Sequence, residues 1–243
     1  MNVAMAIGPF IGIFISGHGS FHIVFLIGST ITLTDLIEVL FLKVQDVEIS
    51  VKNMKNSARF NWRDYVEPEA LPISVAVFAI TLAYTSLVAF LSLYAKEINL
   101  VNVSSFFFIV YTIALLASLP FAGRWFDNFG ENRLTYPLII CLAIGFLFLS
   151  QVHSGILFLV SGALIGIGYG TIISNFQAIA IQQSPRNRKA LAASSFFILL
   201  DLANAVGPYF MGILIEFMSF RYLYLNVAIW NDRLYSNLLC DTR

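Results

Sequence analysis

Six long apolar runs, at about 21 to 44, 70 to 95, 103 to 122, 134 to 152, 155 to 182 and 190 to 218, alternate along the chain with shorter polar stretches. A bilayer core takes about 20 mainly apolar residues per helical crossing, so each run predicts one membrane-spanning helix. Two further segments fall short of that length. Residues 2 to 17 are apolar and contain Gly8, Pro9 and Gly12, and residues 220 to 230 begin a run that stops at Asn231 and Asp232. Nothing basic precedes Asn2, so the first segment reads as a packed helix rather than a signal peptide.

Composition supports a membrane class. The chain is 58% hydrophobic and 12% charged, against roughly 45–50% and 25% in soluble domains. The expected fold is therefore all-α and polytopic. The formal net charge is zero, and no basic stripe is interleaved with aromatics, which excludes nucleic acid as an expected partner. The expected partners are the lipid bilayer and a small-molecule solute. Cys141 lies in an apolar run and Cys240 in the polar tail, a pattern that gives neither a disulfide framework nor a metal site. No cofactor is expected.

The basic residues give a predicted orientation. Ten of the fourteen lie in alternate loops: Lys43, Lys52, Lys55, Arg59 and Arg63; Arg124 and Arg133; Arg186, Arg188 and Lys189. The positive-inside rule then puts these loops in the cytoplasm of a multi-pass cell-membrane protein. The polar stretch 45–69 becomes a cytoplasmic linker, separating a two-helix part, 1–44, from a larger helical part, 70–230. Residues 231–243 read as an atypical polar tail.

Two glycine–proline helices echo each other across the linker: AIGPFIGIFI at 6 to 15 and AVGPYFMGILI at 205 to 215. Small residues beside proline let neighbouring backbones approach closely. Gly8, Pro9, Gly12, Gly207, Pro208 and Gly212 are thus expected at helix contacts, and their recurrence points to duplicated halves. Gly162, Gly166 and Gly170 recur every fourth residue in SGALIGIGYG. No strand precedes them, so close helix packing fits better than a nucleotide loop.

The stretch FAGRWFDNFGENRL, 121 to 134, carries Gly123, Asp127, Gly130 and Arg133 between two spans. It resembles the G-x-x-x-D-x-x-G-[basic] loop of the major facilitator superfamily, and the linker and paired glycine–proline helices resemble that family's central loop and its helices five and eleven. The resemblance implies a partial major facilitator fold running from helix five into helix twelve. It also implies a secondary transporter with alternating access, of the antiporter group that carries glycine–proline in helix five. Three positions depart from the pattern: Leu119 stands where many members have Arg before Pro120, and Glu131 and Asn132 stand where one or two basic residues are usual. The resemblance further implies that Gly123, Arg124, Asp127, Gly130 and Arg133 form a conformational gate; the plain alternative is a polar turn obeying the charge rule.

Ionisable groups inside spans are costly and point to function. Asp201 lies midway along its run, with Asn204 one turn on, and Asp35 and Glu38 share a face in the 21 to 44 run. Desolvation raises a buried carboxylate's pKa, which makes these the expected proton-coupling candidates. A structural hydrogen bond to a neighbouring helix is the other reading of Asp201, and Glu38 can instead reach the headgroups. Asn204, Asn175, Gln177, Tyr84 and Tyr111 are the uncharged polar groups expected to line a cavity, unless they serve as interhelical glue. With abundant Phe, such a cavity suits an amphipathic organic solute.

His18 and His22 lack a third ligand for a metal. With His153 they map to span ends, away from any nucleophile, so an enzyme is not expected. The abrupt polar ending after Trp230 leads to the expectation of a truncated chain with little activity alone. The alternatives are a non-transporting membrane partner, or a chain completed by another that supplies the missing helices.

Overall fold

Apolar side chains cannot hold water against the backbone in a bilayer, so each long run satisfies its amides internally as a helix. The computed structural model describes residues 8, 12, 15, 21–41, 65–129 and 131–240. Its helices are α1 (Phe21–Phe41), α2 (Leu71–Glu97), α3 (Val101–Phe129), α4 (Glu131–Ser150), α5 (Gly155–Ile165), α6 (Thr171–Gln183), α7 (Lys189–Phe217) and α8 (Phe220–Cys240). A 3₁₀ turn, Pro68–Ala70, leads into α2, and a π-helical turn, Gly166–Gly170, joins α5 to α6 without a break. No strand occurs among the described residues. Six helical stretches there are long and apolar enough to cross a membrane, and they coincide with the six expected runs.

The turns between helices are short and locally specified. Asn99 adopts φ 57° after α2, while the Leu100 amide donates to the Ala95 carbonyl at 2.8 Å; this is the left-handed cap that lets a helix stop and reverse within a few residues. Ser154 caps α5 by accepting from the Leu157 amide, and proline opens both the 3₁₀ turn and α2, where its missing N–H is not needed.

Packing is set by small residues, because lipid tails are as apolar as leucine and supply no hydrophobic drive between helices. α2 lies along α7, α8 along α4, and α5 sits against both α3 and α4. A Cβ at Gly145 would strike Ile165, and one at Gly162 would come within 3.1 Å of the Phe107 ring. The largest buried side chains, among them Tyr94, Phe107, Phe146, Phe158, Phe196 and Tyr224, fill the space these approaches leave. The Tyr94 hydroxyl donates to the Leu149 carbonyl at 2.7 Å, fastening the end of α2 to the end of α4. Most span hydroxyls, such as those of Ser86, Thr112 and Ser161, donate back to carbonyls of their own helix, which removes an unsatisfied group from the apolar layer. No residue of α1 with a described side chain is buried.

Three expectations change in detail. The 155 to 182 run is one span but contains the π turn. The polar segment expected to begin an atypical tail at Asn231 instead continues α8 to Cys240, since a polar sequence can remain helical beyond an apolar first half. The 123 to 133 stretch is not a loop: α3 runs on to Phe129 and α4 starts at Glu131. Residues 42–64, most of the expected linker, lie outside the described residues, as do Pro9 and most of the 2 to 17 segment.

Candidate functional site

The helix-end motif brings basic side chains to one end of the bundle. Gly123, Arg124 and Arg133 are exposed there, and a Cβ at Gly123 would meet nothing within 4 Å. Gly130 and the side chain of Asp127 lie outside what the structure describes. Gly123 also lines a small recess of about 190 Å³ with Leu119, Phe126, Thr171, Ser174 and Asn175. Two side-chain bridges cross close by. The Asn175 amide donates to Thr135 Oγ1 at 3.0 Å, joining α6 to α4, and Ser118 and Thr171 share a hydrogen bond of 2.8 Å between α3 and α6. Asn175 is buried, so in this conformation it ties helices together at the edge of the recess.

Farther into the membrane layer, three tyrosines meet. Tyr84 of α2 stacks on Tyr169 of the π turn with ring centroids 3.7 Å apart and planes 9° from parallel. The ring of Tyr111 of α3 is tilted against that of Tyr84, with centroids 6.1 Å apart. The Tyr169 hydroxyl is paired with Thr81 Oγ1 at 3.2 Å. All three rings are at most 8% exposed. Tyr84 and Tyr111 therefore do not line an open cavity, as the sequence leads one to expect; they close on Tyr169 as a plug between α2, α3 and the π turn.

Glycine explains why the plug sits there. A Cβ at Gly166 would collide with the Tyr111 carbonyl, one at Gly170 with Leu115, and one at Gly168 would come within 2.8 Å of Leu142. The π turn is thus gripped by α3 on one side and α4 on the other. Single π turns inside α-helices frequently occur at functional sites. Sequence reasoning passes over Tyr169 and Thr81; the signal available is the Gly166-x-Gly168-x-Gly170 spacing, tighter than packing against one neighbour requires.

The carboxylates differ from expectation in burial. α7 turns Ala192, Ser195, Phe196, Leu200, Ala203 and Gly207 inward, and this face lies along α2. Asp201 and Asn204 fall on the other side and are exposed, because helical periodicity cannot place Leu200, Ala203 and Asp201 on one narrow stripe. Neither side chain makes a hydrogen bond among the described residues. Asp35 and Glu38 are likewise exposed on α1. Gln177 is half-buried.

The glycine–proline pair of α7 is at a close crossing: a Cβ at Gly207 would run into the Thr85 side chain, and one at Gly212 would touch Phe90 at 3.5 Å. Gly8 and Gly12 face open space instead. A larger apolar groove of about 910 Å³ separates α8 from α7, lined by Phe78, Leu82, Phe210, Met218, Asn226 and Trp230 among others; none of the residues expected to form a cavity faces it. At the basic end, Arg188 pairs with Glu67, a contact across 121 positions that no sequence pattern marks.

The family model described as Major Facilitator Superfamily matches residues 1–208 of this chain. No curated protein and no solved structure matches it.

Proposed function

The chain belongs to the Major Facilitator Superfamily, a family of secondary transporters, and we propose that it carries out proton-coupled efflux of a small amphipathic organic solute by alternating access. Asp201 is the observation that carries this reading. It stands near the middle of the 29-residue α7, on a face that the rest of the described chain leaves uncovered. A carboxylate at that depth costs about 2.5–3.5 kcal/mol on insertion scales and persists where it meets a polar cavity or partner. We therefore place it at a water-accessible path, where it takes up and releases the coupling proton while Asn204, one turn on, contacts the solute.

The tyrosine plug is the closed wall of the same path. Tyr84, Tyr111 and Tyr169 present amphipathic faces, and their separation during alternating access would expose aromatic surface suited to an apolar solute with a polar tip. Asn175 and Gln177 extend that wall toward the basic end. Gly123, Arg124, Asp127, Gly130 and Arg133 form the gate at this end, which faces the cytoplasm by the distribution of basic residues. In this reading residues 1–44 contribute two helices of one half, 45–69 the central loop, and 70–230 the other half. Asp35 and Glu38 are secondary coupling candidates.

The test is transport in proteoliposomes of a fluorescent amphipathic cation under an imposed pH gradient. Asp201→Asn is expected to abolish gradient-driven accumulation while leaving binding of the dye intact. Full accumulation by that variant would remove Asp201 from the mechanism and with it the proposed coupling.

A further inference from the structure

Glu67 ends a polar stretch, yet it is only 3% exposed. Three of its groups are engaged. Its amide donates to Ser195 Oγ at 2.9 Å, its carboxylate accepts from Arg188 Nε, and its carbonyl accepts from the Ala70 amide at 3.2 Å. The partners belong to different elements. Ala70 closes the 3₁₀ turn that starts α2. Arg188 caps the α6–α7 turn, its amide donating to the Pro185 carbonyl at 2.8 Å and its carbonyl accepting from the Ala192 amide at 2.9 Å. Ser195 lies in the second turn of α7 and also donates to the Leu191 carbonyl.

A turn at a membrane surface has water and headgroups available and needs no buried carboxylate. Desolvating such a pair often costs more than its attraction returns, whereas removing one partner leaves an uncompensated charge. Here Glu67 is buried while Arg188 is partly exposed, so loss of Arg188 would leave the carboxylate uncompensated, which favours the arrangement that keeps the pair together. We propose that Glu67, Arg188 and Ser195 form a strap that holds the exit of the 45–69 segment onto α7, so that displacement of the segment and displacement of α7 are mechanically linked. Ser195 is six residues from Asp201, about 9 Å along the helix axis, so the strap connects that segment to the helix bearing the exposed carboxylate.

Linkage between two elements is reciprocal, and the test uses that property. Backbone hydrogen exchange is followed in the intact chain in lipid nanodiscs, for peptides covering 65–71 and 189–201. Glu67→Gln, made on the segment side, is expected to accelerate exchange in 189–201; Ser195→Ala, made on α7 with no change of charge, is expected to accelerate exchange in 65–71. Loss of one such anchoring bond corresponds to about a tenfold effect. Arg188→Lys keeps a charge but loses the guanidinium geometry, and should fall between the parent and Arg188→Gln. If each substitution alters only its own peptide, or if both leave exchange unchanged, the strap does not exist as a linkage. Ser195→Ala, the mildest change, decides the matter should the charge variants fail to fold.

Discussion

Replacing Gly207 with alanine tests whether the α2–α7 crossing depends on backbone proximity. The added Cβ would overlap the Thr85 side chain, with Thr85 Cβ at 2.8 Å and Cγ2 at 3.0 Å as well as a closer approach to Oγ1. Rotating Thr85 about χ1 moves Oγ1 and Cγ2 but not Cβ, and its hydroxyl is already committed to the Leu82 carbonyl at 2.7 Å. Relief to an ordinary carbon–carbon contact, about 3.5–4.0 Å, therefore requires the two helices to part by most of an ångström. Overpacking of this kind costs about 1–3 kcal/mol. The assay is the midpoint of heat-induced loss of the monodisperse peak in detergent, for the parent, Gly207→Ala, Thr85→Gly and the double variant. Thr85→Gly removes all three clashing atoms, and because threonine is itself a poor helix former the change costs only about 0.3 kcal/mol of helix propensity. The double variant should accordingly be more stable than additivity predicts, with a coupling of about 1 kcal/mol or more. Strict additivity, or an unchanged midpoint for Gly207→Ala, would refute the close crossing.

Gly166→Ala meets a backbone carbonyl, that of Tyr111, and no side chain can yield to it; it is expected to destabilise at least as much as Gly207→Ala in the same heating assay, with no rescue from substitutions at the Tyr111 side chain. Tyr169→Phe loses only the bond to Thr81 and should cost about 0.5–1.5 kcal/mol, whereas Tyr169→Ala also empties the stack against Tyr84 and should cost about 3–5 kcal/mol. Asn175→Ala breaks the α6–α4 bridge to Thr135; crosslinking yield between cysteines placed on those two helices should fall. A yield unchanged from the parent would assign Asn175 no bridging role.

Much of this architecture is legible from residue order alone. Span number and extent follow from run length, because an apolar run in a bilayer has no alternative to satisfying its own amides. The family also followed from local patterns: the 121 to 134 motif, the glycine–proline pairs and the alternation of basic loops. Side-chain surroundings did not. Asp201 is central in its run, yet burial depends on which face of α7 meets α2, and the phase of that contact is set by Gly207 against Thr85. Tyr84 and Tyr111 are polar positions on separate spans, and only their convergence on Tyr169 turns expected cavity lining into a closed stack.

Chain order thus determined the elements and the class of protein, since both depend on hydrophobicity and sequence-local geometry. Tertiary structure alone decided that a π turn holds Tyr169 in place, that the 121 to 134 stretch is helical almost throughout, and that Glu67 reaches Arg188 and Ser195. The position of Tyr169 depends on the π turn's glycines meeting α3 and α4, and the Glu67 contacts join residues 121 and 128 positions apart, distances over which residue order alone fixes no approach.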